Sequence, residues 1–419
     1  MKHVVRMSTL SLLALSTVLA VDTPTPAVVT RGVATPATPM SVTPFDPLAP
    51  AQPQKGKIVE FKLEAKLAKL TLPSGETKEV WTFNNSVPGP VLRVHQGDTV
   101  RFTLTNRDPN MDHGLDFHAG QMDMGQYHKA IKPGESITFD WVAHYPGVFL
   151  YHCSAGPVIM HVANGMFGAV IVDPPGYTPK GKEYVLVQHE WYKNGTDLGA
   201  LIHEEPEALA FNGIPAQYTT APLTAKPNET VRLYFVNAGI NNTSAFHVIG
   251  TIFDKVLLDG NPKNTLYGVQ TVSVAPGGAL VAELSAAAGS YAILSHSLRD
   301  AMKGALGILK VGEASSTVEE SHGHMTGLPE QPSGAGLELN IENFAFSNKK
   351  IVVKAGTSVT WVNHENTLHT IVGANFDSRG ELKDGLGKGD KFTVTFSKAG
   401  LYEYLCSLHP FMKGVVEVQ

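Results

Sequence analysis

Residues 147–172 read Gly147-Val-Phe-Leu-Tyr151-His152-Cys153-Ser-Ala-Gly-Pro-Val-Ile-Met160-His161-Val-Ala-Asn-Gly-Met166-Phe-Gly168-Ala-Val-Ile-Val172. Gly147–His152 and Gly168–Val172 are rich in β-branched and aromatic residues, so the stretch predicts two strands joined by a loop. Neighbouring side chains on a strand point to opposite faces, so His152 and Cys153 cannot face the same ion. Upstream lies His113-Gly-Leu-Asp116-Phe-His118. A thiolate, two imidazoles and a thioether are the ligand set of a blue electron-transfer copper, in which His2Cys binds strongly and the axial Met weakly. His113, Cys153, His161 and Met166 are assigned to such a site. That leaves His152 free for a second metal. Read as extended, the upstream segment places Asp116 and His118 on one face and His113 on the other. The geometry predicts two metal sites back to back, joined through the His152-Cys153 peptide.

The chain has 419 residues, enough for two or three domains at roughly 150 residues each. Charged residues make up 17%, hydrophobic residues 43%, with 40 Gly and 27 Pro, the balance of a turn-rich globular protein. Further strand-like segments, such as Thr99–Thr105 and Ser136–Val142, recur throughout, and long amphipathic patterns are scarce. Three blocks emerge, at 56–176, 177–312 and 337–419, each with a Gly-containing "PGE", "PGG" or "KGD" approach to its late strands. The expected fold class is all-β, with three tandem Greek-key β-sandwiches. Residues 313–336 are a linker by composition. The much shorter joint Pro174-Pro175-Gly176 implies that the first two blocks pack together while the third is tethered.

Lys2 and Arg6 precede an apolar run from Leu10 to Leu19, and Val18-Leu19-Ala20 supplies small residues for cleavage, so residues 1–20 read as a signal peptide. Export, to a periplasm or beyond, is the expected location. Residues 21–55 are rich in Pro, Thr and Ala and are expected to form an extended tether. No later stretch has the roughly 20 apolar residues of a transmembrane helix. The net charge is −5, or −7 once Lys2 and Arg6 leave with the leader. There is thus no basic field of the kind that holds nucleic acid.

The first two blocks resemble the copper nitrite reductases, two fused cupredoxin domains with a blue type 1 and a catalytic type 2 copper. The resemblance covers 56–312. It rests on Trp81-Thr-Phe-Asn-Asn-Ser-Val-Pro-Gly-Pro90 with Gly97-Asp98, on His-x-x-Asp-Phe-His and Tyr-His-Cys, and on Phe246-His-Val-Ile-Gly250 and Ser295-His296-Ser-Leu-Arg-Asp-Ala-Met302. It implies cupredoxin-like sandwiches, with His118, His152 and His296 on a type 2 copper. It also implies that Asp116 and His247 handle protons and that Ile249 shapes the nitrite pocket. In this family the third histidine comes from a neighbouring subunit, which implies a homotrimer with the type 2 copper at the subunit interface. Two departures stand out. The Cys153-to-His161 spacing is one residue shorter than in the best-known members, and Met160 stands where they carry Trp. The loop Ala119–Lys132 also differs. Its Met122, Met124 and His128 offer soft-metal chemistry, although loop packing is the simpler reading.

The third block ends Tyr404-Leu-Cys406-Ser-Leu-His409-Pro-Phe-Met412, with His369 upstream. This is again a His2Cys plus Met set, and the loop is similar to that of amicyanin, a small electron carrier. Both cysteines of the chain are thereby ligands, and none is left for a disulfide. The cofactor count becomes two type 1 coppers and one type 2 copper per chain. The expected reaction is one-electron reduction of nitrite to nitric oxide, fed through Cys153-His152. The fused third domain is expected to be a built-in donor, and the external donor is left open, with a small cupredoxin or a cytochrome c as candidates. An oxygen-reducing multicopper oxidase needs several His-x-His pairs. The only one here is His322-Gly-His324 in the linker, and Ser154 rather than His follows Cys153. A non-enzymatic electron carrier leaves His118, His152 and His296 without a role.

Overall fold

The computed structural model describes residues 26–31, 39–54, 58–72, 76–312, 336–342, 344–383, 385–409 and 412–419. The expected leader and nearly all of the linker, with His322 and His324, lie outside the described residues. Within them the chain is all-β, with three cupredoxin-like Greek-key sandwiches in tandem. Among the described residues no helix is long and apolar enough to cross a membrane.

One pairing plan is repeated three times. In the first sandwich Ile58–Thr71 runs parallel to Thr99–Asn106, which pairs antiparallel with Glu135–Val142. In the facing sheet Leu92–His95 runs parallel to Phe167–Asp173, followed by Gly147–His152 and Asp116–Phe117. The second sandwich repeats both parallel pairs with Lys182–Trp191 beside Val231–Asn237 and Leu223–Ala225 beside Leu306–Val311. The third does so with Leu337–Glu342 beside Thr357–Asn363 and Lys350–Val353 beside Lys413–Val418. Parallel neighbours cannot be joined by a hairpin, so the chain must cross between sheets, which produces the Greek key.

Thr99–Asn106 alternates strictly: Val100, Phe102, Leu104 and Asn106 point inward while Thr99, Arg101, Thr103 and Thr105 are half-exposed. Phe167–Asp173 is instead buried at every position. Its Val170 and Val172 fill the first core. Its Phe167, Ala169 and Ile171 pack against Val185, Val187, Trp191 and Val236 of the second sandwich. A strand buried on both faces carries a continuous apolar run rather than an alternating one. Arg93 is buried at the same joint, 2.8 Å from Asp173 and 2.8 Å from Glu183, so one cation bridges both sandwiches.

The described parts of the expected extended tether at 21–55 are docked on the sandwiches. Val28–Arg31 pairs antiparallel with Glu135–Val142, and Met40–Ser41 pairs parallel with Ile58–Thr71. Pro47 accepts a hydrogen bond from the Val185 amide, the Ala49 amide donates to Glu183, and Pro50 accepts from Arg93. Proline-rich sequence cannot supply a long ladder, but an extended strand can still dock through isolated hydrogen bonds at sheet edges.

Candidate metal centres

The strand Gly147–His152 delivers Cys153 to the inside of the first sandwich and leaves His152 half-buried on the other face. His113, Cys153 and His161 are all buried, and their ligand atoms lie within 4.8 Å of one another. His161 Nδ1 stands 3.3 Å and His113 Nδ1 3.8 Å from Cys153 Sγ. Nε2 of His113 lies 3.0 Å from Asp108, whose carboxylate fixes the ring so that Nδ1 faces the sulfur. Met166 is buried in the same core. Burial pushes the Cys153 thiol up to about 11, and burial with the nearby His113 charge pulls His161 down to about 4. A neutral imidazole and a thiol that releases its proton to a metal are what a soft cation needs.

The third sandwich builds the same arrangement. His369, Cys406 and His409 form a second cluster, with the two Nδ1 atoms 3.7 and 3.5 Å from Cys406 Sγ. Glu365 takes the part of Asp108 by accepting from His369 Nε2. Burial would raise the Cys406 thiol, yet the bonds from His369, His409 and the Thr370 amide pull it down to about 5. Met412 is buried beside it.

On the outer face of the first sandwich Asp116, His118 and His152 form a third group. The His118 and His152 Nε2 atoms are 3.2 Å apart. His152 Nδ1 donates to the Cys153 carbonyl at 2.8 Å, which leaves Nε2 available to a metal ion. Burial and the charge of His152 lower His118 despite Asp116. Beside His118 opens a cavity of about 380 Å³, lined also by Tyr145, Asp259 and Asn261. His296 is not in this group. It is exposed on the second sandwich, its ring 5.5 Å from that of buried His247. His247 Nδ1 donates to the Gln270 carbonyl, which leaves its Nε2 free, and Ile249 is exposed.

Multicopper oxidase family models match residues 64–176 and 182–314, and a model of copper binding proteins of the plastocyanin/azurin family matches 335–419. A copper-containing nitrite reductase of Neisseria meningitidis serogroup B is 39% identical over 268 residues, covering 60% of this chain and 68% of the relative. The chain belongs to the copper-containing nitrite reductases. The solved copper nitrite reductase of Nitrosomonas europaea is 39% identical, with TM-score 0.59, and the match covers 62% of this chain and 95% of that one. That of Thermus scotoductus SA-01 is 29% identical, with TM-score 0.57, and the match extends to 87% of this chain and 99% of that one. The reductase is thus an oxidoreductase that uses copper.

Within this reductase the three sandwiches can be aligned by hydrogen bonds alone. Asp116 pairs with His152, His247 with Leu294, and Val372 with Leu405. The next residue after each partner, Cys153, Ser295 or Cys406, donates its amide to the carbonyl of Met166, Ala305 or Met412. Its side chain in turn accepts from the amide of Gly114, Ala245 or Thr370. Three residues before Asp116, His247 and Val372 stand His113, Ser244 and His369. Asp116 and His247 therefore occupy one structural position in two sandwiches, as do His118 and Ile249. Sequence reasoning missed Asp108 and Glu365. The signal was present as Asn106-Arg-Asp108 and Asn363-His-Glu365, each ahead of a histidine of a His2Cys cluster, with both Asn side chains tying the loops that follow.

Proposed function

We propose that the chain is an exported dissimilatory nitrite reductase that takes one electron and two protons to convert nitrite to nitric oxide and water. The observation that carries this reading is the pair His152-Cys153. One residue faces the buried His2Cys cluster, the next faces the Asp116-His118 group, and a 2.8 Å hydrogen bond closes the path between them. Type 1 sites are assigned to His113, Cys153, His161 and Met166 and to His369, Cys406, His409 and Met412, and one type 2 site to His118 and His152. Copper, when bound, supplies one-electron redox chemistry and Lewis acidity at a position open to substrate.

Two imidazoles do not complete a type 2 site. His296 is exposed on the second sandwich, outside the Asp116 group, which supports completion by the partner subunit's His296 in a homotrimer. In that assembly Asp116 and His247 hold and deliver the protons, and Ile249 narrows the pocket over nitrite. Asp116 suits this role because its carboxylate lies 3.7 Å from His152 Nε2, beside the place where substrate binds. The domains are 56–176, 177–312 and 337–419, with 313–336 as linker. The tethered third domain feeds electrons at high effective concentration, refilled by a small cupredoxin or cytochrome c.

The deciding experiment supplies nitrite and a small artificial reductant to the copper-loaded protein without oxygen. Nitric oxide release is expected, and its loss in His296→Ala together with type 2 copper. A fully loaded protein that releases none overturns the reading. Deletion of 337–419 is expected to slow turnover with a protein donor and to spare it with the small reductant.

A further inference from the structure

The loop between the first ligand motif and Lys132 folds into the short helix Met124–Tyr127. Met122 packs against the first core and Met124 is 73% exposed, whereas His128, which follows the helix, turns inward. Its Nε2 lies 3.2 Å from Asp116 Oδ1. The other carboxylate oxygen, Oδ2, lies 3.7 Å from His152 Nε2 and 4.0 Å from His118 Nε2. The two oxygens of Asp116 are thus divided: one is held by the loop, the other faces the metal ligands.

We infer that His128 is a positioning residue, which locks the Asp116 carboxylate so that Oδ2 alone is presented to the reacting site. Asp116 sits on a two-residue strand and is itself half-exposed, so nothing in its own element fixes the carboxyl torsion. The loop is held from several sides. The Asp123 side chain accepts from the Gln126 amide at 3.0 Å, the His128 amide donates to Met124 at 3.2 Å, and Tyr127 packs on Phe139 with ring centroids 5.6 Å apart. Ser154, directly after Cys153, donates to the His128 carbonyl at 3.4 Å. A Cβ on Gly114 would stand 2.4 Å from Ser154 Oγ and 3.1 Å from the Lys129 carbonyl, so this packing leaves no slack. Displacing a catalytic group by about an ångström can cost on the order of a hundredfold in rate.

The inference rests on the nitrite-reductase reading, and the test separates the two. Nitric oxide formation is measured for the full copper-loaded chain, His128→Phe, His128→Gln, Asp116→Asn and the double variant, with copper content and the type 2 EPR signal measured alongside. His128→Phe is expected to lose about tenfold or more in kcat, with copper content and type 2 signal unchanged. His128→Gln, whose amide can donate to the same oxygen, returns to within about threefold of the parent. The double variant is no slower than Asp116→Asn, because both changes act through one carboxylate. Crystals of His128→Phe show the Asp116 carboxylate turned or disordered. Full activity in His128→Phe, losses that multiply in the double variant, or loss of type 2 copper with the activity overturns the inference. A parent that makes no nitric oxide overturns the underlying reading, and the inference with it.

Discussion

The first and second sandwiches share a backbone plan but hold opposite chemistry at one position. Where the first has His113, Cys153, His161 and Met166, the second has Ser244, Ser295, Asp300 and Ala305, each buried and in the same hydrogen-bond register. Ser244 donates to Gln188 at 2.7 Å, and Ser295 accepts from the Ala245 amide at 3.2 Å, so these two hydroxyls are bound to neighbours. On the outer face the contrast reverses in kind: Asp116 and His118 in the first correspond to His247 and Ile249 in the second. The fold provides a place for four side chains, and the side chains alone decide whether it holds a soft cation.

The largest expected effect comes from giving the first sandwich the second's residue. On the proposed type 1 assignments, Cys153→Ser removes the thiolate and is expected to abolish the first site's blue absorbance, leave that of the third sandwich, and bring nitrite turnover to background. Retained turnover would break the link between the two faces of Gly147–His152. A smaller effect tests the ring anchors that the copper sandwiches share. Asp108→Ala is expected to weaken copper binding about 10–100-fold at the first site only, and Glu365→Ala likewise at the third, read from metal-competition titrations of each blue band. Equal weakening of both sites by either variant would show that the anchors act through overall stability.

The smallest effect near neutral pH concerns acid. Burial holds His189 at about 3 and, helped by His113, His161 at about 4, against roughly 6.5 in an unfolded chain. Both ring nitrogens of His189 lack a hydrogen-bond partner among the described residues, and the ring packs between Phe167 and Trp191. Below pH ~6.5 the unfolded chain binds protons that the native state refuses. Copper-free protein should therefore lose stability as pH falls below ~6.5, the loss from His161 levelling off at about 4 and that from His189 at about 3. Copper removes the His161 share, and His189→Phe removes the other. Denaturant midpoints across this range, with and without copper, check both.

Much of this was legible in the sequence for reasons of period and parity. Gly147–His152 has the bounds that its composition predicts, and Gly168–Val172 gains one residue at each end because both of its faces are covered. The odd and even positions of 113–118 placed His113 inside and Asp116 with His118 outside, as the structure has them. The strapped segment 39–54 was illegible because its docking uses single backbone hydrogen bonds and scattered side chains such as Val42 and Ala49, which composition averages away. His128 was read as loop packing since nothing in its spacing from Asp116 marks a contact that the fold of the loop creates.

Arg93 has a consequence for how such chains can be recombined. Its guanidinium is held by Asp173 at the end of the first sandwich, by Glu183 at the start of the second, and by the Pro50 carbonyl of the strap. A chimera spliced between residues 173 and 183 separates this cation from one of its carboxylates unless the donor sequence restores it, and taking one partner from a buried charge network is destabilising. The first two sandwiches and the strap therefore exchange as a single cassette wherever a relative lacks one of these partners.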